Sequence, residues 1–177
     1  AQEMLFEPLV DITADGYKPC LAESWDISAD GKVYTFHIRK GVTFTDGTPC
    51  DAFAVKANFD AILENRARHT WLEMMHLLEK VDAPDAHTFR IFMKAPYWPM
   101  LTELGVTRPF AIISPKAMKN GSTKDGVTAY VGTGPYKLTK VVTDEYAVFE
   151  ANETYWGEQP RIKRVVVKVI PDNQTRI

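Results

Sequence analysis

Residues Asn65 to Trp71 read "NRARHTW", which places two guanidinium groups, an imidazole and an indole side by side where an amphipathic helix runs out. Guanidinium offers a rigid fork of donors, has no acceptor and stays charged at physiological pH. Arg66 or Arg68 therefore suits a planar carboxylate, with Trp71 as a flat apolar wall beside it. That is recognition chemistry rather than bond-making. The competing reading is that the arginines complement the negative end of the helix dipole, worth about 0.3–1 kcal/mol each at an exposed site.

The remaining chemistry-bearing residues point away from catalysis. "VGTGPY" has G-x-G but neither a third glycine nor a following helix, so it is a poor phosphate loop, and its glycines read as a tight entry into a strand at Tyr136. There is no GxSxG elbow, no HExxH and no Cys–His pair in an activating context. His69 and His76 are spaced to share a helix face, but a two-histidine metal site needs further partners, and both read as ordinary half-exposed histidines. His37 falls on the polar face of a strand, and Met74 and Met75 read as core filler. Asp46 has turn work and Asp51 capping work, so a hydrolase built on a carboxylate pair is a distant alternative that no spacing favours. No catalytic residue, metal ligand or cofactor is expected.

The helix that would position the arginines runs from about Asp51 to Asn65, with Asp51 as N-cap and Ala52, Val55, Phe59 and Ile62 at helical spacing. A shorter helix is expected from about Trp71 to Leu78. Strands are expected at Leu9–Thr13 and Glu23–Ser28 with the "ADGY" turn between them. Further strands are expected at "VYTFHIR" with Tyr34, Phe36 and Ile38 inward, near Leu78–Asp82 and at Thr88–Met93. "APYWPMLTELG" reads as a short helix with Trp98, Leu101 and Leu104 inward, closed by Gly105. "RPFAIISP" reads as a strand in which Pro109 biases Arg108 to extended backbone. Gly121 to Tyr130 reads as a polar loop, "GPYKLTKVVTDEYAVFEAN" as a hairpin turning near Thr143-Asp144, and "KRVVVKVI" as a strand buried on both faces. Meandering strands with few helices define a mixed α/β (α+β) domain.

The chain has 177 residues, of which 45% are hydrophobic and 11% aromatic, enough for a real core. Its 21 basic and 23 acidic residues are scattered and give a net charge of −2, so there is no basic stripe for a nucleic acid. No apolar run reaches the ~20 residues that span a bilayer. Cys20 and Cys50 are too few for a disulfide framework, and bridging them requires Cα atoms within ~7 Å. "AQEMLFEPLV" starts inside an apolar helical pattern and "VVVKVIPDNQTRI" ends after a strand and a helix start, which reads as part of something longer.

"EPLVDITADGYKPCLAESWDISADGKVYTFHIRKGVTFTDGTPCDAFAV", "VGTGPYKL" and "NETYWG", in that order, resemble the solute-binding proteins of the peptide and nickel ABC importers, family 5. The resemblance covers essentially all of the chain. It implies an incomplete first lobe, residues 1–177, of a two-lobe protein of the periplasmic-binding-protein-like II fold, with a mixed β-sheet and flanking helices. "NRARHTW" and "TRPF" are similar to the nickel-binding branch, which implies that Arg68, Trp71 and Arg108 line the ligand cleft, whereas Arg66 is not carried over.

Two arginines on one cavity would repel Ni²⁺ itself and favour a net-negative guest, such as Ni²⁺ wrapped by an organic polycarboxylate or histidine. The family implies no enzyme activity and delivery of the ligand to an inner-membrane ABC permease. It further implies a monomer in the periplasm, or an extracellular, lipid-anchored protein. A dipeptide or oligopeptide receptor, with the arginines on a peptide carboxylate, is the alternative within the family.

Overall fold

A computed structural model describes residues 2–171. The start of a helix expected after "VVVKVIP" lies outside them. In chain order the first elements are α1 (Gln2–Leu5), β1 (Val10–Thr13), β2 (Gly16–Pro19), β3 (Ala22–Ile27), β4 (Val33–Ile38) and α2 (Ala52–Glu64). There follow α3 (Met74–Leu77), β5 (Leu78–Asp85), β6 (Thr88–Met93), α4 (Met100–Leu104), β7 (Met118–Lys119), β8 (Ser122–Val127), β9 (Tyr136–Val142), β10 (Tyr146–Ala151) and β11 (Arg164–Lys168).

Alternation drives the central sheet. Tyr34, Phe36 and Ile38 of β4 and Phe89, Ile91 and Met93 of β6 are buried on one face of a four-stranded antiparallel sheet in the order β3-β4-β6-β5. α2 covers that face. Asp51 caps it by accepting a hydrogen bond from the Ala54 amide at 2.9 Å, a contact worth ~1 kcal/mol. Phe59 then packs its ring 4.8 Å from that of Phe89 and 5.8 Å from that of Phe110, joining sheet, helix and the 107–113 segment in one core. A separate sheet, β11-β10-β9, and two hairpins, β1-β2 and β7-β8, complete the mixed α/β architecture.

Several local expectations are corrected. The "ADGY" turn joins β1 to β2, and β2 is an additional short strand before β3. The helix expected over 71–78 is formed only from Met74 to Leu77, although Leu72, Met75 and Leu78 are buried. Trp98 is 71% exposed, because it precedes Pro99 and so lies outside the helix whose inward residues are Met100, Leu101 and Leu104. Gly105 closes this helix as expected, though with ordinary helical torsions, and its lack of a Cβ admits the Ile12 side chain.

Residues 108–115 form no strand. Arg108 is extended (φ −116°, ψ 127°) as Pro109 requires, but the backbone beyond it finds partners in a helix side chain and in loops. Residues 122–127, expected as a loop, pair with β7 across an Asn120-Gly121 turn in which both residues have positive φ. β11 is an edge strand with exposed faces, since its valines satisfy backbone preference rather than burial.

Candidate functional site

The end of α2 determines where the basic cluster lies. The Asn65 side chain donates to the Ala61 carbonyl at 3.0 Å and ends the helix, and Arg66–Arg68 continue as one 3₁₀ turn. Arg66 turns back and donates to the Leu78 carbonyl at 2.9 Å, so it staples this turn to β5. Arg68 makes no ion pair or side-chain hydrogen bond among the described residues, and it lines a cavity of about 470 Å³.

Arg108 reaches the same cavity from the far end of a different segment. Several contacts hold that segment in place, with the Asn58 amide at their centre. Asn58, on the inner face of α2, donates to the Ile113 carbonyl at 2.8 Å and accepts from the Ile113 N–H at 3.0 Å, while the Ile112 N–H donates to the Glu7 carbonyl at 3.0 Å. Ser114 donates to Asp46 at 2.7 Å from its other end. The Arg108 Nε donates to the Gln2 side-chain carbonyl at 3.1 Å, which occupies one edge of the guanidinium.

Arg68, His69 and Arg108 thus share a cavity whose walls include Ile62, Ala111 and Ile113 and contain no aspartate or glutamate. An adjoining apolar hollow of about 250 Å³, with Leu138 and Phe149 in its wall, shares Arg108, Phe6 and Tyr130. The dimensions fit a small-molecule site, and the charges favour an anion. Burial and the neighbouring Arg68 charge hold the His69 imidazole below its ordinary pKa of 6.5, so its neutral form prevails at neutral pH. Trp71 is not brought into this wall: it is 63% exposed and lies outside the cavity lining. His76 is tied to the Thr70 carbonyl at 3.0 Å and also lies outside, so the two histidines form no joint site.

Sequence reasoning missed Gln2, Asn58, His69 and Tyr130 as cavity residues. For Asn58 a signal was present, since a polar residue four before Ile62 and one before Phe59 falls on the apolar stripe and needs buried partners. Gln2 meets Arg108 across most of the chain and carries no local signal.

Behind the site, Glu7 accepts hydrogen bonds from Thr133, Tyr155 and Trp156 at 2.7–2.8 Å, drawing "VGTGPY" and "NETYWG" onto the segment that follows the first helix. Gly132 and Gly134 are needed there because a Cβ on either would collide with the Leu5 backbone. Cys20 and Cys50 are both free, and burial raises both thiol pKa values, that of Cys20 to about 12. Among the described residues no helix is long and apolar enough to cross a membrane, and no cluster of three or more metal-ligating His, Cys, Asp or Glu residues occurs.

Residues 16–177 match the model of the bacterial extracellular solute-binding proteins, family 5 (middle). The chain is 46% identical to the nickel-binding periplasmic protein of Escherichia coli K12, over 99% of this chain and 34% of that protein. The fold superposes on NikA from Brucella suis, solved in complex with Fe(III)-EDTA, with a TM-score of 0.96 and 48% identity, covering 99% of this chain and 35% of that one. It also superposes on the periplasmic binding protein DppA from Helicobacter pylori, solved with the peptide STSA, with a TM-score of 0.83 and 31% identity over 98% of this chain and 38% of that one. The chain therefore spans about a third of the length of the relatives it matches.

Proposed function

Because the chain belongs to the family 5 bacterial extracellular solute-binding proteins, we propose that residues 1–177 are the incomplete first lobe of a two-lobe receptor for an anionic nickel chelate. Membership of a solute-binding family replaces the carboxylate-pair hydrolase reading. The observation that carries the proposal is the pairing of Arg68 and Arg108 on one cavity with no acid in its wall. Free carboxylates of a polycarboxylate or amino-acid chelator meet the two forks, while the bound Ni²⁺ is held through its chelator rather than by guanidinium. Trp71, exposed beside the cavity turn, contributes apolar surface once a second lobe closes over the ligand. The likeness to a nickel-binding periplasmic protein and to NikA favours the periplasm as the compartment and nickel as the metal. In this role the receptor acts as a monomer and hands its ligand to an inner-membrane ABC permease.

The same forks would take a peptide carboxylate, and the likeness to a peptide-bound relative keeps a dipeptide or oligopeptide receptor as the second reading. Calorimetry on the longest native chain containing these residues separates the two. Ni²⁺ with citrate or histidine should bind, Ni²⁺ alone should bind weakly, and short peptides should not compete. Each of R68Q and R108Q should lose roughly 10- to 100-fold in chelate affinity, the equivalent of one charge-assisted hydrogen bond of ~1.5–3 kcal/mol. Tight metal-independent peptide binding would overturn the nickel reading.

A further inference from the structure

We propose that His69 supplies one nitrogen donor directly to the metal of the bound chelate, so that the cavity grips chelator and metal by separate groups. This rests on the chelate reading above and goes beyond it, since that reading assigns the metal no contact with this lobe. His69 lies in the same cavity wall as Arg68 and Arg108, and its imidazole has no hydrogen-bond partner among the described residues. Its backbone is fixed on both sides: its N–H donates to the Arg66 carbonyl at 3.0 Å, and its carbonyl accepts from the Leu72 N–H at 3.1 Å. The residue is therefore held at the cavity by its main chain, while the polar atoms of its ring are unspent.

Of the other polar groups in the wall, the hydroxyls of Thr123 and Tyr130 are weaker ligands for Ni²⁺ than an imidazole, and the oxygens of the two amides are already engaged. The Asn58 amide is committed to Ala54 and Ile113, and the Gln2 carbonyl oxygen accepts from Arg108. Imidazole is a good ligand for Ni²⁺, and in its neutral form it adds no charge to a site that already carries two cations. The step is a simple exchange: a ring nitrogen lone pair takes a coordination position vacated by a water, and no proton or electron moves. It needs a chelator that leaves a position open, so His69 makes the cavity discriminate among chelates by vacancy as well as by charge. A peptide carboxylate has no use for it.

Two probes distinguish these contributions. Ni²⁺–nitrilotriacetate is anionic with coordination positions open to water, whereas in Ni²⁺–EDTA the chelator can saturate the metal by itself. In the longest native chain, H69Q should weaken Ni²⁺–nitrilotriacetate by at least about 10- to 100-fold, the span that loss of even an outer-shell partner of a metal ligand costs, and leave Ni²⁺–EDTA within about twofold. X-ray absorption of the bound Ni²⁺–nitrilotriacetate should show imidazole scattering that falls in H69Q. Free imidazole should restore binding to H69A, a rescue that a merely structural histidine would not show.

Equal losses for both probes, or no loss for nitrilotriacetate, overturn the proposal. R68Q and R108Q report separately on the underlying reading, because they should weaken both probes alike. If they weaken neither, the anion site itself is wrong whatever H69Q does. If the native chain binds neither probe, both proposals fall.

Discussion

Asp46 shows how a residue remote from any ligand sets the geometry of the cleft. Its carboxylate accepts from the Ser114 hydroxyl at 2.7 Å and from the Thr48 amide at 2.9 Å, tying the "TDGT" turn to the segment that begins at Arg108. Partial burial pushes its pKa up, but the hydrogen bonds from Ser114 and Thr48 outweigh that and leave it below 3.8. A carboxyl whose folded pKa is depressed stabilises the fold above its unfolded value and loses that stabilisation as pH falls through the folded value. D46N should therefore destabilise the protein at pH 7 by about 1 kcal/mol, at the low end for charge-assisted bonds because the group is largely in water. The gap between D46N and wild type should close as pH falls below 3.8 and through the lower folded pKa. Paired urea denaturations at neutral and acid pH measure this, and a gap that is constant with pH would assign the effect to turn geometry rather than charge.

α2 positions both arginines, one by where it stops and the other through Asn58. The N58A variant would strand the Ile113 N–H and C=O without a buried partner, at a cost of about 2–4 kcal/mol in urea stability. It should also weaken the chelate by loosening Arg108 while leaving Arg68 in place. Unchanged affinity in a folded N58A protein would show that the 108–113 segment is held by Phe110 packing instead. The extent and inward face of α2 were legible because Asp51, Ala52, Val55, Phe59 and Ile62 all signal the same helix. β4 and β6 were legible by strict alternation. The Asn120-Gly121 hairpin carried its turn signal openly, yet the polar residues of β8 masked it as a loop. Residues 108–115 read as a strand because they are largely apolar, and nothing local reveals that their backbone partners come from Asn58, Glu7 and Val131. The shared cavity of Arg68 and Arg108 rests on that same long-range packing, so spacing alone could nominate the arginines but not join them.

For the molecule as a whole, the cavity is a half-site in the proposed two-lobe receptor. Small-molecule sites commonly bury roughly 70–90% of their ligand, which needs walls on opposite sides, and in that receptor Arg68, His69 and Arg108 all belong to the first lobe. The adjoining surface exposes apolar side chains. Val141, Ala147 and Val167 are paired in register across β9, β10 and β11, so they share one face, and both valines are exposed beside the hollow that Ala147 lines. In the proposed receptor a second lobe closes on this side, and ligand binding selects the closed form. Residues 1–177 expressed alone should then bind Ni²⁺–nitrilotriacetate at least about 100-fold more weakly than the longest native chain, a deficit of roughly 2.7 kcal/mol that reflects the missing wall. Calorimetry on the two proteins side by side, with circular dichroism to establish that the shorter one is folded, tests this. A folded short chain that binds within about tenfold of the long one would mean that the two arginines and His69 suffice, and that closure of a second lobe serves presentation to the permease rather than affinity.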